Sequence, residues 1–404
     1  MLFVRLALRS LLRNRRRSAL TLAAVLVGTA VVVFAHGFGE GLVRMLVDGA
    51  IEKRIGALQV HAKGYLEASE AAPLTLDQDA ALVDVVAAVP GVVAATPRVR
   101  FAGVLSAGRR SSMVLAEGVD PVRERAVCPE RAGEVPSSTG AFVDESAPDG
   151  IVISKELASA LEVEVGDALV LQASGKGGQL NALDVVVRGV TAGAGLLESK
   201  RVITVPLSLA RELTTMEGRA TEIAVSVKDV ERLDPIIIAL RAALPETSSV
   251  STWAEVSPFL KDATLRLRVI LGGISLVLFT IVVFGVVNTM LMSVYERVRE
   301  IGTMMAVGTR RRQVLALFLW EAIVIGLVGA VAGALIGLAL TALAGNAGIS
   351  FGAPGTDVVQ IVRPVPRLDV AALALVGSAV GAVLAALYPA LRASSLHPAV
   401  ALRR

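Results

Sequence analysis

The 404-residue chain is expected to fold as an α-helical membrane domain of four transmembrane helices. A mixed α/β extracytoplasmic domain is inserted between the first and second helices. Three observations predict this. Four long runs are nearly free of charge, arginines flank those runs, and the stretch between the first two runs carries both strand and helix periodicities. Hydrophobic residues make up 54% and charged residues 19% of the chain, which excludes a disordered chain and an ordinary soluble domain.

Residues 1–18 hold six arginines and no acid, and read as a cytoplasmic amphipathic helix. The 17 uncharged residues 19–35 begin the first span, placed at 19–38. Val33-Phe34-Ala35 also suits a signal-peptide cleavage site, but the apolar run is long for a signal core. Leu42, Met45, Leu46, Gly49 and Ala50 moreover continue a helical pattern. The second span is 269–292 and the fourth 370–391, both uncharged; the third is 314–344, broken only by Glu321. Each exceeds the about 20 residues a bilayer crossing needs.

The arginine-rich pieces 1–18, 293–313 and 392–404 fall on one side of four spans, and the positive-inside rule makes that side the cytoplasm. The expected product is a multi-pass membrane protein with both termini cytoplasmic. Residues 39–268 and the shorter loop 345–369 then lie on the far side of the membrane. Residues 39–265 carry 31 acids against 22 bases, in agreement with this placement.

In the outer domain, alternation predicts strands at 58–61, 184–188 and 224–227. Helices are expected at 78–89, 155–162, 207–216 and 230–243, with Thr75 and Gln78 as a capping box for the first. Helix 78–89 followed by strand 92–100 is echoed by helix 230–243 followed by strand 248–253. The echo suggests one subdomain split by an insertion, to which the Gly/Pro/Ser-rich stretch 133–150 belongs. Residues 39–56 and 254–268 read as a helical stalk.

Little in the chain is suited to catalysis. The single cysteine, Cys128, excludes an intrachain disulfide, and His36, His61 and His397 are too scattered for a metal centre. His61 reads as a structural strand residue. The nearest approach to a phosphate-binding loop, Gly175-Lys176-Gly177-Gly178, continues with Gln179 and lacks the required Lys-Ser/Thr. No catalytic residue, metal or cofactor is assigned. The basic residues sit beside apolar runs, which argues against nucleic acid and for membrane lipid.

Residues 296–314, ERVREIGTMMAVGTRRRQV, are the most informative. Val298, Ile301, Met304 and Met305 share one helical face, with Arg297, Arg299 and Glu300 elsewhere. Such a helix suits either a groove on a cytoplasmic partner or the lipid surface. Gly329, Gly333 and Gly337 repeat every four residues, as do Gly377 and Gly381, and are expected to pack the third and fourth spans together. Glu321 is expected to pair with Arg299 or Arg310.

The 296–314 segment, with NTMLMSVYE before it, resembles the loop between the second and third spans of the FtsX-like/MacB-type permease family. LALRSLLRNRRRSALTLAAV, FLWEAIVIGLVGAVAGALIG and YPALRASSLHPAVALR are similar to that family's first span, third span and closing signature. GALQVHAKGYLE, PGVVAATPRV and ISKELASALEVEVGDALVL resemble its extracytoplasmic domain, especially in LolC/LolE-like lipoprotein-releasing relatives. The resemblance implies an ABC transporter permease of the mechanotransmission type. Its partners would be a cytoplasmic ATPase in two copies, holding ATP and magnesium, and a second permease, identical or paralogous. Glu296, Arg297, Arg299, Glu300, Ile301, Met304, Met305 and Gly308 would contact the ATPase. The cargo would be a lipoprotein or other envelope substrate, with a periplasmic chaperone or adaptor receiving it. Phe34, Phe38, Leu42, Met45, Phe259, Leu260 and Leu265 would meet an acyl anchor. The alternatives are an efflux permease for peptides or drugs with a tunnel partner, and an FtsX-like regulator of cell-wall hydrolases.

Overall fold

A computed structural model of the chain describes residues 15–68, 74–131, 133, 135, 139–191, 201–352 and 359–395. The amphipathic helix expected over 1–18 lies outside the described residues up to 14, and the C-terminal tail does so from 396. The chain divides into a membrane unit (1–45, 264–351 and 361–404) and an outer unit (46–263 and 352–360).

The first helix, α1 (Arg15–Ala50), runs without a break through the residues read as a cleavage site and ends in a π-helical turn, Ile51–Ile55. In the outer unit β1 (Leu58–Ala62) and the short β2 (Leu76–Asp77) precede α2 (Asp79–Ala87). Then come β3 (Val92–Ala107), β4 (Arg110–Val119) and α3 (Pro121–Val127). The middle holds β5 (Gly150–Ser154), α4 (Lys155–Leu161), β6 (Ala168–Ser174), β7 (Leu180–Thr191), β8 (Val202–Pro206) and α5 (Leu207–Thr214). It closes with β9 (Arg219–Ala220), β10 (Glu222–Val227), α6 (Asp234–Ala243), β11 (Ser248–Thr252) and α7 (Trp253–Val256).

The sheet explains the internal echo. Strands β11, β1, β10 and β3 lie side by side, all antiparallel, with one helix connecting β1 towards β3 and another connecting β10 to β11. That is the split βαβ arrangement, interrupted between its second and third strands. The interruption is a ring of strands, β3-β4-β8-β5-β7-β6, closed by a further β6–β3 pairing. The 16-residue β3 belongs to both parts: its first half pairs β10 and its second half pairs β4 and β6. Closure removes the exposed edges an inserted sheet would otherwise present. Phe101, Leu105, Ile151, Ile153, Leu171 and Leu213 fill the core of this part.

The capping box expected at Thr75 and Gln78 does not form. Gln78 takes a left-handed conformation (φ 54°) without a side-chain cap, and Thr75 Oγ1 accepts from Lys176 Nζ instead (2.9 Å). Asp79 opens the helix and pairs with Arg211. A capping box does occur at Thr252 and Glu255, where the Thr252 N–H donates to Glu255 Oε2 (2.7 Å).

The membrane unit is completed by α8 (Pro258–Glu296), α9 (Val298–Ala306), α10 (Arg311–Ala347), the short strands β12 (Ile349–Gly352) and β13 (Val359–Val362), and α11 (Leu368–Ser394). Helices α1, α8, α10 and α11 are each long and apolar enough to cross a membrane. All four meet at a core of Val25, Val286, Met290, Ala322, Ile325 and Ala385. The extended segment 363–365 is bound to α1, where the Val365 N–H donates to the Gly37 carbonyl (2.9 Å).

Candidate functional site: helix α9, its seat and a groove between spans

Within the segment read as the ATPase contact, residues 298–306 fold as the short helix α9, but its apolar face is not offered outward. Ile301 is 1% exposed, packed with Val294 of α8, Val314 and Phe318 of α10 and Ala390 and Ala393 of α11. Met304 and Met305 are half-buried against the same cluster. Burial of this face follows from the hydrophobic effect, since the ends of three spans leave apolar surface there to be covered. Ile301 therefore presents no side chain to a partner in this conformation, which corrects its reading as a surface contact. The outward face consists of Glu296, Arg299, Glu300, Thr303 and Val307, the last 89% exposed. Gly308 (φ 105°) ends the helix: its N–H bonds Met305 O (3.1 Å) and the Thr309 N–H bonds Met304 O (3.0 Å). This is a Schellman cap, so the glycine's positive φ is structural.

Arg297 anchors the seat. It bonds Glu300 Oε2 (3.2 Å), approaches Glu321 Oε2 (3.5 Å) and lies 5.7 Å from the Phe318 ring centre. Phe318 and Glu321 stand three residues apart on α10, so one guanidinium reaches both. The partner of Glu321 is thus Arg297 and neither Arg299 nor Arg310, because Arg297 occupies the bend between α8 and α9. Glu321 also borders a chamber of about 20 Å³ with Ser18, Thr21, Thr289 and Ser293. That volume suits about one water.

The glycine spacing is used differently from the expectation. A Cβ at Gly329, Gly333 or Gly337 would strike Val25, Leu26 and Val33 respectively, all on α1. The stripe therefore seats the first span on the third, not the fourth. Gly326 alone of this series faces α11, at Ala382. Gly381 receives the Phe279 ring of α8, and a Cβ at Gly377 would meet nothing within 4 Å.

The residues read as substrate contacts differ in exposure. Phe34, Phe38, Leu42 and Met45 are half-buried on α1, with the Phe34 and Phe38 rings stacked at 6.5 Å. Phe259 and Leu265 are exposed on α8, but Leu260 is 0% exposed and is no surface contact. A groove of about 350 Å³ lies elsewhere, between α1, α8 and α11, lined by Val32, Leu276, Phe279, Leu373 and Gly377. Sequence reading missed it, because no single-helix pattern reveals a gap between three helices.

It also missed a buried ionic cluster in the outer unit. Arg98 donates to both Glu124 oxygens (3.0 and 2.7 Å), to Glu222 Oε1 (3.3 Å), to Cys128 Sγ (3.1 Å) and to the Arg54 carbonyl. Arg131 donates to Glu124 Oε1 (2.8 Å), Glu117 and Thr204 Oγ1 (3.2 Å). The Cys128 thiol donates to Ile51 O (3.3 Å). The turn at the end of α1 is thereby tied to β3, α3 and β10. Burial alone would raise the Glu117 carboxyl, but Arg131, Arg54, Arg100 and Arg98 hold it well below the usual carboxylate range. Burial pushes the Cys128 thiol up, which favours the protonated form that donates to Ile51 O. The signal available was cross-strand: Arg98 faces Glu222 and Arg100 faces Glu117 in register, which only strand pairing reveals. Among the described residues no group of His, Cys, Asp and Glu is placed to hold a metal ion.

Two family models match the chain: a MacB-like periplasmic core domain over residues 18–243 and an FtsX-like permease C-terminal region over 272–398. The macrolide export ATP-binding/permease protein MacB of Brucella abortus is 27% identical over 411 residues, covering 99% of this chain and 60% of its own length. MacB of Bradyrhizobium diazoefficiens is 28% identical over 428 residues, with the same coverage of 99% and 60%. An uncharacterized ABC transporter permease protein of Mycobacterium tuberculosis is 28% identical over 309 residues, 74% of this chain and 34% of that protein. The chain thus spans about 60% of the length of the MacB relatives. Among solved structures, the periplasmic region of MacB from Actinobacillus actinomycetemcomitans aligns with a TM-score of 0.38 at 12% identity, covering 53% of this chain and 95% of that one. With the periplasmic core model spanning more than half of its residues and the permease model covering its last three spans, the chain belongs to the MacB-like, FtsX-type ABC transporter permeases.

Proposed function

We propose that this chain is the membrane subunit of an exporter of the inner membrane, with both termini cytoplasmic and its outer unit periplasmic. It converts movement of a cytoplasmic ATPase into movement of the outer unit. The observation that carries this is the seat of α9: Ile301 is wedged among α8, α10 and α11 while Arg299 and Val307 face outward. A push on the outward face is therefore delivered to three spans at once, in a packed interior that transmits strain. Helices α1 and α8 are continuous and carry such movement beyond the bilayer. ATP and magnesium belong to the partner, in two copies, with a second permease completing the assembly. Much of α8 is left uncovered by its own chain, which suits contact with lipid or that second permease.

Peptides or drug-sized amphiphiles are the cargo this reading favours, in line with the macrolide export named for the relatives. Lipoprotein release, expected from the LolC/LolE-like resemblance, has no counterpart among those names and gives way to efflux. The test is co-purification of the tagged full-length chain with an ATP-binding partner, before and after Arg299→Asp with Val307→Asp. Loss of the ATPase from a correctly inserted double variant is expected. Unchanged association would refute the docking face. Unaltered macrolide and peptide susceptibility in a deletion strain, with chained cells instead, would replace efflux by the regulatory role.

A further inference from the structure

We infer that the groove between α1, α8 and α11 is a binding site for one acyl chain of an outer-leaflet phospholipid, whatever cargo the transporter carries. The position sets the medium. The groove draws on residues 28–36 of α1, 275–282 of α8 and 370–378 of α11, which fall largely in the outer half of the apolar spans 19–38, 269–292 and 370–391. Its volume of about 350 Å³ lies within the range of ligand sites, about 300–1,000 Å³, and far above one water.

The wall chemistry selects an apolar occupant. Its polar groups bond one another: Thr29 Oγ1 with Ser378 Oγ at 2.8 Å, and His36 Nε2 with Ser275 Oγ at 2.9 Å. Ser275 Oγ also donates to Leu271 O (2.8 Å). Water entering would exchange few hydrogen bonds for its own, so the site favours hydrocarbon. The groove also has direction. Its deep end is floored by Phe279, whose ring rests where Gly381 lacks a side chain. Its outer end, at His36 and Val370, lies towards the Arg367–Glu40 ion pair (2.9 Å) and Asp369. An acyl tail pointing inward with its headgroup at that charged rim matches this polarity.

The test places the full-length chain in nanodiscs of phosphatidylethanolamine containing an analogue with a diazirine on its acyl chain. Illumination should label 275–282 and 370–378 in preference to the lipid-exposed face of α10 at Leu335 and Leu343. In Gly377→Leu the added side chain enters the groove, because a Cβ there meets nothing within 4 Å. Groove labelling should then fall about tenfold while labelling of α10 stays constant. Leu373→Trp, entering from the exposed side, should give the same loss and serves if the first variant folds poorly. Equal labelling of groove and α10 face, or groove labelling unchanged in both variants, would overturn the site. Exclusion of the probe by a co-purified acylated polypeptide would overturn the assignment to phospholipid.

Discussion

Gly333→Ala and Gly377→Ala make the same chemical change in the same kind of glycine repeat, and the structure predicts opposite outcomes. At Gly333 an added Cβ falls 2.4 Å from the Leu26 carbonyl oxygen and 2.8 Å from Thr29 Cβ. Ordinary contact begins at 3.4 Å, so the two backbones must part by 3.4 − 2.4 = 1.0 Å. A carbonyl held inside a helix cannot swing aside as a flexible side chain can. Overpacking of this kind costs about 1–3 kcal/mol. At Gly377 the same Cβ meets nothing, and replacing a helical glycine gains up to about 1 kcal/mol. Thermal unfolding of both full-length variants in one detergent measures the contrast. Gly333→Ala should lower the midpoint by several degrees, and Gly377→Ala should leave it level or raise it. Equal shifts, or a larger loss at Gly377, would refute the packing of α1 against the glycine stripe of α10.

Removing Glu321 takes the buried carboxylate from the Arg297 guanidinium while leaving its bond to Glu300, so Glu321→Ala should cost about 1–3 kcal/mol, and a double-mutant cycle with Arg297→Ala should show a coupling between the two. Gly308→Val forces a β-branched residue into a positive φ and should cost at least about 1–2 kcal/mol, read as proteolytic nicking at the end of α9. Burial lowers His61 below its ordinary value of 6.5, with Glu222 offsetting part of this and Tyr65 stacked at 4.5 Å. A depressed histidine stabilises the fold above its unfolded value and loses that contribution as pH falls through the folded value. Outer-unit stability should therefore decline below pH 6.5 in the wild type, and this slope should vanish in His61→Phe. Glu117, held low, contributes stability above its unfolded value of 4.5 that is lost only in stronger acid, a second and separable fall in the same titration.

Much of the architecture was legible because lipid and periodicity leave few options. The uncharged runs mark helices whatever their neighbours, and alternation marks β1, β7 and β10. Helix 78–89 and its echo at 230–243 likewise pointed to one subdomain split by an insertion. What sequence could not supply was pairing. Gly329, Gly333 and Gly337 say that some backbone comes close, not that it is α1. Arg297, Arg299 and Arg310 are equally placed by spacing to reach Glu321, and only the bend after Glu296 decides among them. Ile301 is the instructive case: an apolar face at helical period reads the same whether it docks on a partner or on its own spans. Arg98, Glu124 and Arg131 give no sign of burial in the sequence, because their burial depends on β3, β10 and α3 meeting.

The central claim is that nucleotide turnover moves the outer unit relative to the membrane unit through α9. Spin labels at Met113 in the outer unit and Asp369 in the membrane unit, both exposed, report this in the chain assembled with its ATPase; Cys128 is buried and stays unlabelled. The predicted result is a pulsed-EPR distance distribution that shifts between nucleotide-free and ATP-bound states and stops shifting in Val307→Asp. Sustained ATP hydrolysis by the assembled wild type with an unchanged distribution would contradict the account.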